Sequence, residues 1–439
     1  MTDLITVHYA QNGASIKADS MGMREMQARA YEKRNAQYLL LKAPPASGKS
    51  RALMFLALDK VRHQGLKKAI VAVPEMSIGG SFNDTALSQY GFFADWHVEP
   101  EYNLCTPGNA GKVDRVIGFL TDPAPEFLVC THATFRFACQ RLFEQNQLDL
   151  LDKVLVAVDE FHHVSAEEGN ELGKWIDLLM EQTSAHIVAM TGSYFRGDAM
   201  PILSQKAESQ FETVAYTYYE QLNGYKYLKS LGIGYHFYHG RYLDALAEVL
   251  DPTKKTIIHI PHVMSVESTG NKLSEVDAII DVLGTLVSAD EHHIFNVELK
   301  GAKKIIRVAD LVTDDRNRET VLSYLRSINQ EPDLEKQKAM VDIIIALGMA
   351  KEGFDWPWCE HVLTIGYRNS LTEVVQIIGR ATRDCVGKSH AQFTNLIAQP
   401  DANDEDVRTA VNNMLKAITL SLLMEQALAW LWCLALVGL

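Results

Sequence analysis

Along most of this chain, short apolar runs ending in turns alternate with longer stretches whose apolar residues recur at helical spacing. Tyr38–Lys42 (YLLLK), 69–73 (AIVAV), 127–130 (FLVC), Val154–Val158 (VLVAV) and 186–190 (HIVAM) are such runs. Between them, 51–64 and 169–181 carry apolar residues at helical intervals. This alternation predicts an α/β fold built on parallel sheets flanked by helices. It breaks between about 197 and 235, a polar, tyrosine-rich stretch. It resumes at Thr256–Ile260 (TIIHI), 305–308, 342–347 (DIIIAL), His361–Ile365 (HVLTI) and 392–397. After Pro400 the pattern is helical without strands. The expected division is a first α/β domain over 1–200, a linker over 201–230, a second domain over 231–400, and a short helical C-terminal segment over 401–439.

The length of 439 residues suits two or three domains with separate cores. A net charge of −13 excludes a protein that coats nucleic acid by bulk charge. A local cationic track remains possible, because attraction acts within about 10 Å at moderate salt. None of the six cysteines forms a C-x-x-C pair, which suggests reduced thiols in a cytoplasmic protein rather than zinc or a disulfide framework. The N-terminus lacks the basic start and apolar core of a signal peptide. The last 13 residues, 427–439 (ALAWLWCLALVGL), are uncharged and mostly apolar. A membrane-spanning helix needs about 20 such residues. The run is expected to dock on protein, or to be a chain end that has lost its continuation; no membrane is expected as a partner.

The first strand leads into Ala43-Pro44-Pro45-Ala46-Ser47-Gly48-Lys49-Ser50 and then a helix. This strand–loop–helix ends in the G-K-[ST] of a phosphate-binding loop. Successive backbone N–H groups and the helix N-terminus would point at phosphates. Lys49 would reach the β- and γ-phosphates of ATP, and the Ser50 hydroxyl would ligate Mg²⁺. Ala43 stands where the first glycine would be, and Ala46 replaces another common loop glycine. The strand Val154–Val158 ends in Asp159-Glu160-Phe161-His162. Carboxylates there lie at the ligand-binding edge of a parallel sheet. Asp159 would hold Mg²⁺, and Glu160 would polarise an attacking water as general base.

Asp159-Glu160-Phe161-His162 resembles the D-E-x-H box of superfamily 2 (DEAD/DEAH-box) helicases, and further motifs follow in the expected order. Thr191-Gly192-Ser193 resembles the motif that couples hydrolysis to movement. Ala350-Lys351-Glu352-Gly353-Phe354-Asp355 resembles the G-x-D motif. Gln376 to Arg383 (QIIGRATR) resembles the arginine-finger motif Q-x-x-G-R-x-x-R. Arg24-Glu25-Met26-Gln27 resembles the R-x-x-Q that recognises adenine. The resemblance covers about 20–400 and is closest to the bacterial branch that includes type III restriction enzyme motor (Res) subunits.

The resemblance implies two tandem RecA-like domains with ATP between them. Gln27, the loop residues Pro45, Ala46, Ser47, Gly48, Lys49 and Ser50, and Gly353 and Asp355 would bind the nucleotide. Gln376, Arg380 and Arg383 would join Lys49, Asp159 and Glu160 in catalysis. His162, Thr191 and Ser193 would couple hydrolysis to motion. Nucleic acid would meet Pro74, Gly79, Gly80, Thr131, His132 and Thr134, with His259 to His262 and 353–356 as further candidates. Trp356 or Trp358 would either stack on a base or pack beside Pro357. The implied function is an ATP-dependent helicase or translocase, with DNA favoured over RNA. The alternatives are an RNA helicase and an ATP-hydrolysing clamp that does not unwind. Glu298-Leu299-Lys300 faintly resembles half of a nuclease motif, but any nuclease is expected on another, accessory subunit.

Overall fold

The computed structural model describes residues 5–106, 111–161, 171–192, 209–261, 272–312, 316–347, 354–366 and 371–398. It divides into two units, Gly13–Gln221, and Met1–Asn12 together with Leu222–Leu439. The chain begins with β1 (Ile5–His8), which belongs to the second unit.

In the Gly13–Gln221 unit, α1 (Glu25–Glu32) precedes β2 (Tyr38–Lys42), α2 (Lys49–His63) and β3 (Lys68–Val73). Then come α3 (Lys112–Thr121), β4 (Phe127–Thr131), α4 (His132–Glu144), β5 (Val154–Val158), α5 (Glu171–Gln182), β6 (His186–Thr191) and β7 (Glu212–Ala215). The strands form one sheet in the order β4-β3-β5-β6-β2-β7, with every pairing parallel. Side chains alternate across a strand, so a wholly apolar run feeds two cores. Along β3, Ala69, Val71 and Val73 join Leu39, Leu41, Leu155 and the α2 residues Leu53 and Phe55. Ile70 and Ala72 join Val154, Val156, Val158 and the α4 residues Phe135 and Leu142.

α6 (Tyr218–Asn223) ends this unit and opens the next. The second unit holds β8 (Ser230–Tyr238), α7 (Tyr242–Val249), β9 (Thr256–Ile260), α8 (Lys272–Leu283), β10 (Gly284–Ala289), β11 (Phe295–Leu299) and β12 (Ile305–Asp310). It continues with α9 (Arg316–Ser327), α10 (Leu334–Ala339), β13 (Ile343–Leu347), β14 (His361–Ile365), α11 (Leu371–Ala381) and β15 (His390–Ala398). The sheet order is β1-β8-β15-β14-β9-β13-β12-β11-β10. From β8 to β12 the pairings are parallel, whereas β1 on β8 and the β12-β11-β10 edge are antiparallel. The sequence predicted parallel pairing only. The connections 290–294 and 300–304 are too short for a parallel crossover, which needs a dozen or more residues, so they turn the chain back on itself.

The stretch read from sequence as a linker holds, over its described part 209–230, β7, α6 and the start of β8. Its tyrosines carry the apolar load: Tyr216, Tyr218 and Tyr225 are all buried. The C-terminal segment 401–439 lies outside the described residues. Among the described residues, no helix is long and apolar enough to cross a membrane.

Candidate active site

The loop after β2 takes the shape of a phosphate cradle. Gly48, at the N-terminus of α2, has φ 89°, and Ala46 has φ 68°. Ala46 thus adopts the left-handed conformation usually left to glycine, at a cost of about 1 kcal/mol. Gln221 donates from Nε2 to the Pro45 carbonyl at 3.0 Å, and the Ala43 N–H donates to the Thr191 carbonyl at 3.1 Å. Lys49 is buried, with Nζ donating to the carbonyls of Ala43 (3.1 Å) and Pro44 (3.3 Å).

Strand β5 delivers the carboxylates. Lys49 Nζ lies 3.7 Å from Glu160 Oε1, and the Gly192 N–H donates to Glu160 Oε2 at 3.1 Å. Glu160 has φ 44°, a strained conformation of the kind that persists at functional sites. Its own N–H donates to Asp159 Oδ1 at 2.9 Å. The three sequence motifs around Lys49, Asp159-Glu160 and Thr191-Gly192 therefore meet in one place. A Cβ on Gly192 would lie 3.2 Å from both Glu160 carboxylate oxygens and 3.2 Å from Lys49 Nζ. The motif singled out Thr191 and Ser193; Gly192 between them is the residue whose missing side chain makes room for the ion pair.

Asp159 is buried, and burial, then the neighbouring Glu160, holds its carboxyl well above the usual carboxylate range despite Lys49. Such a buried acidic pair is short of positive charge. The Asp159 carboxylate and the Ser50 hydroxyl, in the first turn of α2, are hard oxygen donors that fit Mg²⁺. Ser47 Oγ is buried in the loop and makes no hydrogen bond, an unfilled demand that suits a phosphate oxygen.

Gln27 is tied to the cradle. It accepts at Oε1 from the Arg24 N–H at 2.8 Å and donates from Nε2 to the Gly48 carbonyl at 3.2 Å. Asp19 fixes the turn leading into α1 by accepting from the N–H groups of Met21 and Met23, both at 2.9 Å. A Cβ at position 48 would lie 2.5 Å from Gln27 Nε2 and displace that amide, while the φ of 89° is what calls for glycine there.

The residues expected on nucleic acid have local work. Thr131 caps α4: its Oγ1 accepts from the Thr134 N–H at 3.2 Å and lies 2.9 Å from the Thr134 hydroxyl. His132 Nε2 is 2.9 Å from the Asp159 carbonyl oxygen, joining the start of α4 to the carboxylate strand. Gly79 is buried against Cys105, whose Cβ would be 2.3 Å from a Cβ at 79. Its missing side chain is explained by packing. Pro74 is half-buried and Gly80 exposed.

In the second unit the arginine motif closes on the G-x-D loop. Arg380 Nη1 donates to the Phe354 carbonyl at 3.2 Å, with its guanidinium 4.8 Å from the Phe354 ring centroid. Arg383 Nε pairs with Asp355 Oδ1 at 3.2 Å. Gln376 is half-buried on α11. Lys388, which the sequence did not flag, donates to the carbonyls of Pro357 (2.7 Å), Cys359 (3.0 Å) and Ala381 (3.1 Å). Burial pushes its pKa down to about 8. Trp356 and Trp358 are 3% and 5% exposed, so the packing reading holds and neither is a stacking surface. His259 is wholly buried within β9, which removes it from the candidate nucleic-acid contacts. Gly353, His162, Ser193 and His262 lie outside the described residues.

The DEAD/DEAH box helicase family matches residues 24–197. Over 429 residues the chain is 56% identical to the protein named "Putative ATP-dependent helicase YeeB" of Bacillus subtilis (strain 168), covering 98% of this chain and 70% of that one. Among solved structures, the DUF1998 helicase MrfA bound to DNA superposes with a TM-score of 0.60 at 12% identity, over 90% of this chain and 51% of MrfA. The ATP-dependent Type ISP restriction-modification enzyme LlaBIII bound to DNA superposes with a TM-score of 0.57 at 13% identity, over 92% of this chain and 30% of LlaBIII. The chain thus spans about half of MrfA and under a third of LlaBIII. At these identities the superpositions establish the tandem RecA-like helicase fold and no more.

Proposed function

Given that the chain belongs to the DEAD/DEAH box helicase family, we propose that it is a nucleic-acid-stimulated ATPase that moves along or unwinds DNA. One observation carries the reading: Lys49, Glu160 and Gly192, from three separate motifs, converge within hydrogen-bond and ion-pair distance on the phosphate cradle.

Lys49 exchanges the Ala43 and Pro44 carbonyls for the β- and γ-phosphates of ATP, and Ser47 Oγ gains the partner it lacks. Ser50 and Asp159 would hold Mg²⁺, which when bound would supply positive charge against the phosphates. Glu160 orients the attacking water and takes its proton. Gln27 ties any shift of the Gly48 backbone to α1. Arg380 and Arg383, carried by the other unit, neutralise charge as it develops on the γ-phosphate; an arginine finger is worth about 10³–10⁵ in rate. Their contacts to Phe354 and Asp355 couple that step to the G-x-D loop. The DNA-bound states of MrfA and LlaBIII support DNA as the track.

The test is the ATPase rate of the purified chain with no polynucleotide, single-stranded DNA, duplex DNA and RNA in turn, followed by strand-displacement and translocation assays. The expected result is stimulation by DNA above RNA, with directed movement. Stimulation without displacement or translocation would replace the motor with an ATP-gated clamp. A rate indifferent to every polynucleotide would contradict the reading.

A further inference from the structure

Helix α6 (Tyr218–Asn223) is short, yet it is tied down at both ends and touches the phosphate loop between them. At its start Thr217 and Glu220 cap each other. The Thr217 N–H donates to Glu220 Oε2 at 2.8 Å, and the Glu220 N–H donates to Thr217 Oγ1 at 3.1 Å. The other Glu220 oxygen accepts from Arg29 Nη1 on α1 at 2.9 Å. Ser15 Oγ donates to the Gln221 carbonyl at 2.8 Å. Gln221 itself is 3% exposed, and its Nε2 donates to the Pro45 carbonyl at 3.0 Å. Two residues on, Asn223 Oδ1 accepts from the Ala10 N–H at 2.8 Å, and the Asn223 carbonyl accepts from the Asn12 N–H at 2.9 Å. The bonds up to Gln221 lie within the Gly13–Gln221 unit, and those of Asn223 lie within the other. The backbone of α6 is what passes from one unit to the next.

The loop that Gln221 holds is poorly able to absorb movement. Pro44 and Pro45 have φ fixed by their rings, and Ala46 already sits in the left-handed region at φ 68°. A trans peptide points its carbonyl and its N–H in opposite directions. Fixing the Pro45 carbonyl on Gln221 therefore turns the Ala46 N–H away from α6. The two carbonyls before it, those of Ala43 and Pro44, are the ones that Lys49 Nζ occupies. When Lys49 leaves them for phosphate, both lose a donor. The adjustment falls on a stiff segment whose next carbonyl is held by Gln221.

We propose that Gln221 is a positioning residue that links triphosphate binding at the loop to α6, the segment joining the two units. It touches no reacting atom. The proposal rests on the phosphate-loop reading and adds to it a route by which an occupied loop changes the connection between units. Such linkage is reciprocal: whatever shifts α6 alters triphosphate affinity by the same factor.

Backbone hydrogen exchange at pH 8, with and without inorganic tripolyphosphate, on the full chain and on Gln221→Met and Gln221→Glu, tests it. Both variants nearly keep the side chain's volume and remove its donor. Peptides covering 43–50 and 218–223 are read separately. In the parent, tripolyphosphate should slow exchange at least threefold in both segments. In each variant the loop should still respond and α6 should not. Tripolyphosphate affinity should fall about fivefold in Gln221→Met, the size of one neutral hydrogen bond, and at least as far in Gln221→Glu. A loop response without an α6 response in the parent overturns the link and leaves the phosphate loop standing. An α6 response that survives in either variant also overturns it, as does unchanged affinity. No response in either segment of the parent refutes the phosphate-loop assignment, and the link falls with it.

Discussion

Lys49 rests among the carbonyls of its own loop, with Glu160 3.7 Å away and the missing side chain of Gly192 leaving room for the pair. A methyl group on Gly192 would crowd the ion pair by a few tenths of an ångström without entering the core. Gly192→Ala is therefore expected to leave the melting temperature nearly unchanged and to lower ATP turnover about tenfold, since small misplacements of reacting groups are costly. Steady-state ATPase and a thermal melt on the same preparation check it; an unaltered rate would show that the crowding relaxes harmlessly. The sequence announced Lys49-Ser50 and Asp159-Glu160, because phosphate and metal chemistry demands those residue types side by side in two short motifs, one after each of two apolar strands. It was silent on Gln221, which reaches the Pro45 carbonyl from 176 positions away. It was equally silent on Lys388, whose three carbonyl partners come from two separate segments. Residues whose role is to hold others declare themselves only through tertiary contact.

The strand runs were the most legible elements. Tyr38–Lys42, Val154–Val158, Thr256–Ile260 and His361–Ile365 coincide with β2, β5, β9 and β14, because strands inside a parallel sheet are largely buried and need mostly apolar runs. β7 and β10 went unread. Both are edge strands with most side chains exposed, so burial left little mark on their sequences. β8 was obscured by glycines and tyrosines within its run (SLGIGYHFY). Helix α11 is legible as an arginine motif, but its anchorage is not. Lys388 bonds the Ala381 carbonyl at the end of α11 and the Pro357 and Cys359 carbonyls beyond the G-x-D loop, stapling the two together. Lys388→Met relieves a buried charge but strips three carbonyls of a shared donor. The net loss is expected to be roughly 2 kcal/mol, measured by chemical denaturation. A variant as stable as the parent would show that water or backbone movement replaces the staple.

Both units are built on sheets with parallel centres. On the proposed function, the lysine, the hydroxyl and the carboxylates would come from the Gly13–Gln221 unit and the arginines from the other. An acidic chain with net charge −13 gains little from bulk attraction to a polyanion. Modest intrinsic affinity for nucleic acid is the behaviour such a charge favours. The central claim is that one triphosphate needs both Lys49 and the arginine pair. It is tested most directly by Arg383→Ala, with ATP binding and DNA-stimulated ATP turnover measured on the same protein. Binding is expected to stay within a few-fold of the parent while turnover falls at least a hundredfold, in keeping with the rate an arginine finger supplies. Turnover at the parental rate, or a loss of binding as deep as the loss of turnover, would contradict it.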